Sequence, residues 1–90
     1  MTKEAERLID LCKLYIAGQM TACEYVDQFE QIFWDVQEGL DPEEFEMLDQ
    51  ISLENELFEP DMDMRSEETD LISEPELRRR VLVHLEKILP

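Results

Sequence analysis

Between Leu14 and Leu77 the chain carries twenty Asp and Glu residues and a single base, Arg65. Charge of one sign works against any compact state through self-repulsion. A fold built on this stretch must therefore point its carboxylates outward, around a core made from the apolar residues that recur between them. The net charge of −16 also far exceeds the roughly 2–8 units that solubility asks of a small domain. The excess points to a partner of opposite sign. A surface like this repels nucleic acid and anionic membrane and attracts basic proteins, including those that themselves hold nucleic acid.

The apolar residues are numerous enough to fold. They make up 43% of the chain, too much for a disordered segment of this charge. Ninety residues form one small domain, 1–90, with a modest core. Only two Gly are present, and the Pro residues stand near expected helix ends, which favours helices over a sheet with many turns.

Four helices are expected. The first spans Lys3 to Ala17, with Ala5, Leu8, Leu11, Cys12 and Tyr15 on one face, Ile9 and Ile16 beside them, and Gly18 in the left-handed position after the last turn. The second begins at Thr21, where Thr21 and Glu24 form a capping box. Its apolar face is Ala22, Tyr25, Val26, Phe29, Ile32, Phe33 and Val36, and Gly39 ends it. The third begins at Asp41, with Pro42 in the first turn and Glu44 closing a second box. Its expected buried stripe is Phe45, Leu48, Ile51 and Phe58, flanked by Met47, Leu53 and Leu57, and Pro60 stops it near Phe58. The fourth begins at Ser73, with a third box closed by Glu76 and a face of Leu77, Val81, Leu85 and Ile88, with Leu82 and Leu89 alongside. Glu74 with Arg78 and Glu76 with Arg80 are spaced to pair along it. The expected fold is all-α: a small antiparallel four-helix bundle with a long acidic loop, 59–72, between helices 3 and 4.

Catalytic chemistry is hard to place on this chain. Cys12 and Cys23 read as reduced, partly buried thiols without a local His partner. His84 reads as a rim residue, and no glycine-rich loop could cradle a phosphate. Asp61 and Asp63 have the opening spacing of a calcium loop, but Arg65 occupies the third ligand position and the required Gly is missing. No cofactor, metal or enzymatic activity is expected. The N-terminus has no apolar signal core and no apolar run reaches a membrane span, so a cytoplasmic protein is expected.

The acids around the third helix's end, Glu56, Glu59, Asp61, Asp63, Glu67 and Glu68, have two readings. One is a solvated charged face. The other is phosphate mimicry, in which carboxylates occupy the basic groove of a protein that acts on RNA. Arg65 reads as an internal pin among Asp61, Asp63, Glu67 and Glu68. Trp34 lies off the centre of its helix's apolar stripe, as a core-edge residue or as a binding anchor. Met62 and Met64, if exposed, offer adaptable apolar contacts. A nucleic-acid-mimic adaptor that binds a basic host regulatory protein fits the same composition. Self-assembly fits it less well, because repulsion keeps such a chain monomeric.

The run Phe58-Glu59-Pro60-Asp61-Met62-Asp63-Met64-Arg65, followed by a basic and apolar final helix from Leu77 to Leu89, resembles the colicin D immunity family, which includes immunity proteins of contact-dependent growth inhibition systems. The segments Ile9 to Ala17 and Met20 to Tyr25 resemble the start of the same family. The likeness covers nearly the whole chain, and the Phe-x-Pro-Asp-x-Asp segment is its most specific part. It implies a four-helix bundle that binds, one to one, the basic C-terminal nuclease domain of a tRNA-cleaving toxin and covers its active site with acids. Carried onto this sequence, those acids are Glu56, Glu59, Asp61 and Asp63. The chain departs from the family pattern by one extra residue, Met64, and by a more acidic segment from Gln28 to Asp49.

Overall fold

Side-chain caps decide where the helices start. Thr2 precedes the first, and its hydroxyl accepts the Ala5 N–H at 3.2 Å. Thr21 and Glu24 exchange the two bonds of a complete box, at 3.1 and 3.0 Å. Glu44 reaches back to the Asp41 N–H at 3.0 Å. The computed structural model describes residues 1–68 and 70–88. It has α1 (Lys3–Ile16), α2 (Ala22–Val36), a 3-10 turn at Gln37–Gly39, α3 (Pro42–Leu57), α4 (Met62–Glu67) and α5 (Glu74–Ile88). Gly18 takes φ +78° after α1, as its position in the sequence requires. Thr69, in the expected loop, and Leu89, expected beside the last apolar face, lie outside the described residues.

The long helices pack mainly α1 on α2 and α5, and α3 on α2 and α5. Leu8, Cys12, Tyr15, Tyr25, Phe29, Leu48, Ile51, Leu77 and Val81 are sealed in the core. Through it runs an aromatic ladder. Tyr15 stacks on Tyr25 at 4.4 Å, Tyr25 meets Phe29 edge-on at 5.9 Å, Phe29 meets Phe33 at 5.9 Å and Phe33 meets Phe45 at 5.6 Å. Such pairs are each worth about 0.5–1.5 kcal/mol beyond the area they bury. Among the described residues no helix is long and apolar enough to cross a membrane.

Several expectations are corrected. Of the stripe expected on α3, Leu48 and Ile51 are buried, but Glu44, Ser52 and Asn55 complete the buried face in place of Phe45 and Phe58. Phe45 and Leu53 are exposed and Phe58 is half-buried. Glu44 and Ser52 go inward because specific partners await them, Thr2 and Asp41 for one and Glu30 for the other, which a purely apolar period does not reveal. The 59–72 segment is not a structureless loop, since α4 forms within it. Its two ends are tied by a parallel bridge between Phe58 and Ile72, with Glu59 N–H to Ile72 O at 3.0 Å and Ile72 N–H to Leu57 O at 2.8 Å. Glu76 pairs with Arg79 and Arg80. Leu82 is exposed, and of the two free thiols Cys12 is buried while Cys23 is exposed.

Two polar anchors fix how α1 meets its neighbours. At one end the buried Glu44 carboxylate accepts the Thr2 N–H at 2.8 Å and the Thr2 hydroxyl at 2.9 Å. At the other, Arg78 of α5 lies over the Tyr15 ring and donates to the Tyr15 and Ile16 carbonyls at 3.2 and 2.9 Å. Those carbonyls belong to the last turn of α1, the negative end of its dipole.

Burial opposes ionisation of Glu44, but the Thr2 and Asp41 N–H groups and the Thr2 hydroxyl hold its carboxyl below the ordinary range. A carboxyl whose folded pKa is depressed lends stability that is complete above its unfolded pKa and is lost as pH falls through the folded one. Glu44→Gln therefore costs about 1–3 kcal/mol near neutral pH, and thermal melts of the two proteins converge below the carboxylate range. Burial also pushes the Cys12 thiol up to about 12, despite its contact with the Tyr25 hydroxyl. Iodoacetamide on the native protein adds one carbamidomethyl group, on Cys23. Mass spectrometry finds a second, on Cys12, only after denaturation.

Candidate partner-binding surface

The acids at the end of α3 are held in a fixed arrangement by the backbone around them. Glu59 accepts the Asp61 N–H at 3.2 Å. Asp61 caps α4, its Oδ1 accepting the N–H groups of Asp63 and Met64 at 2.8 and 3.4 Å. The Ser66 hydroxyl donates to the Asp63 carbonyl at 2.7 Å. A helix of six residues is marginal by itself, so these caps and the bridge at its base carry it.

Arg65 is the pin, though by a different contact from the one expected. Its guanidinium donates to the Glu59 carbonyl at 2.7 Å. Among the described residues no carboxylate lies within ion-pair distance of it, so Asp61, Asp63, Glu67 and Glu68 keep their charges turned outward. Glu56, Asp61, Asp63, Glu67 and Glu68 are exposed and Glu59 is half-buried. Met62 and Met64 stand exposed among them, at 71% and 48%.

Trp34 is not at the core edge. It is 76% exposed on α2, in a shallow depression it shares with Glu30, Gln31 and Asp35. Among the described residues no side-chain hydrogen bond or aromatic pair joins it to α4. The link between the two regions is the seam of α2 and α3, where the Ser52 hydroxyl meets both Glu30 oxygens at 2.8 and 3.1 Å. Asp49 and Glu56, three residues before and four after Ser52, share its side of α3. Burial raises the Glu30 carboxyl, and the charges of Glu56 and Asp49 raise it further against the Ser52 bond. Sequence reasoning missed Glu30, Ser52 and Asn55. Their only signal was spacing: Glu30 four residues before Trp34, and Ser52 and Asn55 in helical register with Leu48 and Ile51.

The basic residues sit elsewhere. α2 carries four acids and α3 six, with no base on either. The arginines of α5 are engaged, Arg80 with Glu54 at 3.0 Å and Glu76 at 3.0 Å, Arg79 with Glu76, and Arg78 with Glu74 at 2.9 Å. His84 lies 3.9 Å from Glu54 at the rim. Among the described residues no group of three or more His, Cys, Asp or Glu side chains is placed to hold a metal ion.

A family model described as bacterial self-protective colicin-like immunity matches residues 4–88. The chain belongs to this family. Membership gives the immunity protein its general role, protection of the producing cell against a colicin-like toxin, and implies a cognate toxin as its partner. No curated protein and no solved structure matches the chain.

Arg65→Met removes the bond that ties α4 back to Glu59. Amide exchange across 61–68 then rises roughly tenfold, the effect of losing about 1–2 kcal/mol of local closure, while exchange in the centres of α1 and α2 stays as in the parent protein.

Proposed function

We propose that this immunity protein inhibits a tRNA-cleaving nuclease toxin by laying the acidic surface at the end of α3 and on α4 over the toxin's basic RNA site. The scaffold is an antiparallel arrangement of the four long helices. The partner is the C-terminal nuclease domain, bound one to one in the cytoplasm by a monomer. Glu56, Glu59, Asp61 and Asp63 stand where phosphates of the substrate would lie, with Glu67 and Glu68 extending the same charge.

The observation that carries the reading is the pairing of unneutralised charge with local order. Among the described residues the carboxylates of this surface have no cation within ion-pair distance, yet caps, a bridge and the Arg65 pin fix their backbone. A charged face with no use beyond solvation gains nothing from such restraint. A receptor for basic groups gains affinity, because less ordering remains to be done on binding. Complementary charge also speeds capture, and a nuclease inside its own producer must be captured fast.

Co-expression with the nuclease domain of the toxin encoded beside the gene is expected to rescue growth and keep tRNA intact. Isothermal titration is expected to give nanomolar or tighter binding that weakens as salt rises. Converting Glu56, Glu59, Asp61 and Asp63 together to amides lowers affinity on the order of 100-fold or more. Unchanged affinity in that variant excludes this surface as the interface.

A further inference from the structure

We propose that the α2–α3 seam is a second part of the toxin interface, a receptor for one arginine side chain, with Trp34 as its stacking shelf and Glu30 as its carboxylate. The proposal rests on the toxin-binding reading and adds to it a contact on a different helix.

Three observations converge on this part of α2 and the seam beside it. Trp34 is more exposed than any other large apolar side chain described, at 76%. Tryptophan presented this way is the residue type most enriched where interfaces concentrate their energy. Second, the depression it lines contains Glu30 and Asp35, with Asp49 and Glu56 beside Glu30 across the seam. No base lies on either helix, and the nearest arginine of α5 directed toward α3, Arg80, is engaged with Glu54 and Glu76. Third, Asn55 is 1% exposed, and its amide reaches Glu30 and Tyr25 without closing a hydrogen bond of good geometry to either. Buried amides are seldom left open. Here a loosely bonded amide lies against a half-buried carboxylate that, among the described residues, has no cation within ion-pair distance.

The chemistry selects the occupant. A lone half-buried carboxylate flanked by two more calls for a cation. An indole face within one helical turn of it calls for a cation that is flat. Guanidinium satisfies both, because it stacks on aromatic faces and binds carboxylates through a rigid fork of donors. The Ser52 bond already holds Glu30 in place, so the fork meets a fixed acceptor.

The test uses the full chain and the toxin's nuclease domain, with Kd read by calorimetry for the parent, W34A, E30Q, the W34A/E30Q pair and a D61N/D63N control. Trp34 is exposed enough that W34A leaves the fold intact, and thermal melts check E30Q. Each single change is expected to weaken binding roughly 10–100-fold. The pair should weaken it by less than the product of the two, since both grip one side chain. Trp34 fluorescence should change on complex formation and not in E30Q alone. If W34A and E30Q bind like the parent while D61N/D63N binds less well, the seam is not part of the interface and the toxin reading survives. If W34A abolishes self-association by sedimentation and leaves toxin binding untouched, a second copy covers Trp34 and the proposal is overturned. If the parent does not bind the nuclease domain, the toxin reading and this contact fall together.

Discussion

Self-repulsion among carboxylates is the constraint that the rest of the structure answers to. Twenty acids face one base over two thirds of the chain, and bringing them into a compact body costs free energy that an ordinary small core has little of to spare. The fold meets the problem in three ways. It seals an aromatic and aliphatic core with no charged side chain at its centre. It consumes some carboxylates as structural acceptors: Glu24 and Glu44 at helix starts, Glu30 across the α2–α3 seam, Glu54 and Glu76 on Arg80. It leaves the others on the outer faces of α2, α3 and α4, where water screens them.

The polar anchors matter more for geometry than for energy. The exposed pair of Arg78 and Glu74 would contribute little by itself. Arg78 gains its role by also closing the carbonyl end of α1 and covering Tyr15. Glu44 does the equivalent at the start of α1, where one carboxylate serves the N-terminus of two helices. With both ends of α1 fixed against α3 and α5, the α2–α3 face is presented in one orientation. That face carries the acids of α2 and α3 and no base.

Much of this was legible along the chain. The capping boxes at Thr21 and Asp41, the apolar faces of α1 and α2, the Gly18 turn and the ion pairs of α5 all follow from local rules over four or fewer residues. The concentration of acids near Asp61 and Asp63 was equally plain. What misled was the assumption that a helix buries its apolar residues. On α3 the inward positions are Glu44, Ser52 and Asn55 as much as Leu48 and Ile51, because Thr2, Glu30 and the Tyr25 neighbourhood lie opposite them. Phe45 and Leu53 are left outside as a result. Likewise α4 has no apolar period at all. It is a helix because Asp61 caps it and Arg65 ties it to Glu59.

The sequence by itself determined the helical class, the starts of α1, α2 and α3, and the sign and location of the surface charge. These depend on hydrogen bonds and periodicity within a few residues, and on a count of charges that no fold can change. Only the tertiary structure decided which side of α3 faces inward, where Arg65 points, and that Trp34 stands in water beside Glu30. Those outcomes depend on partners from 6 to 42 residues away, and such distances are closed only when the helices pack.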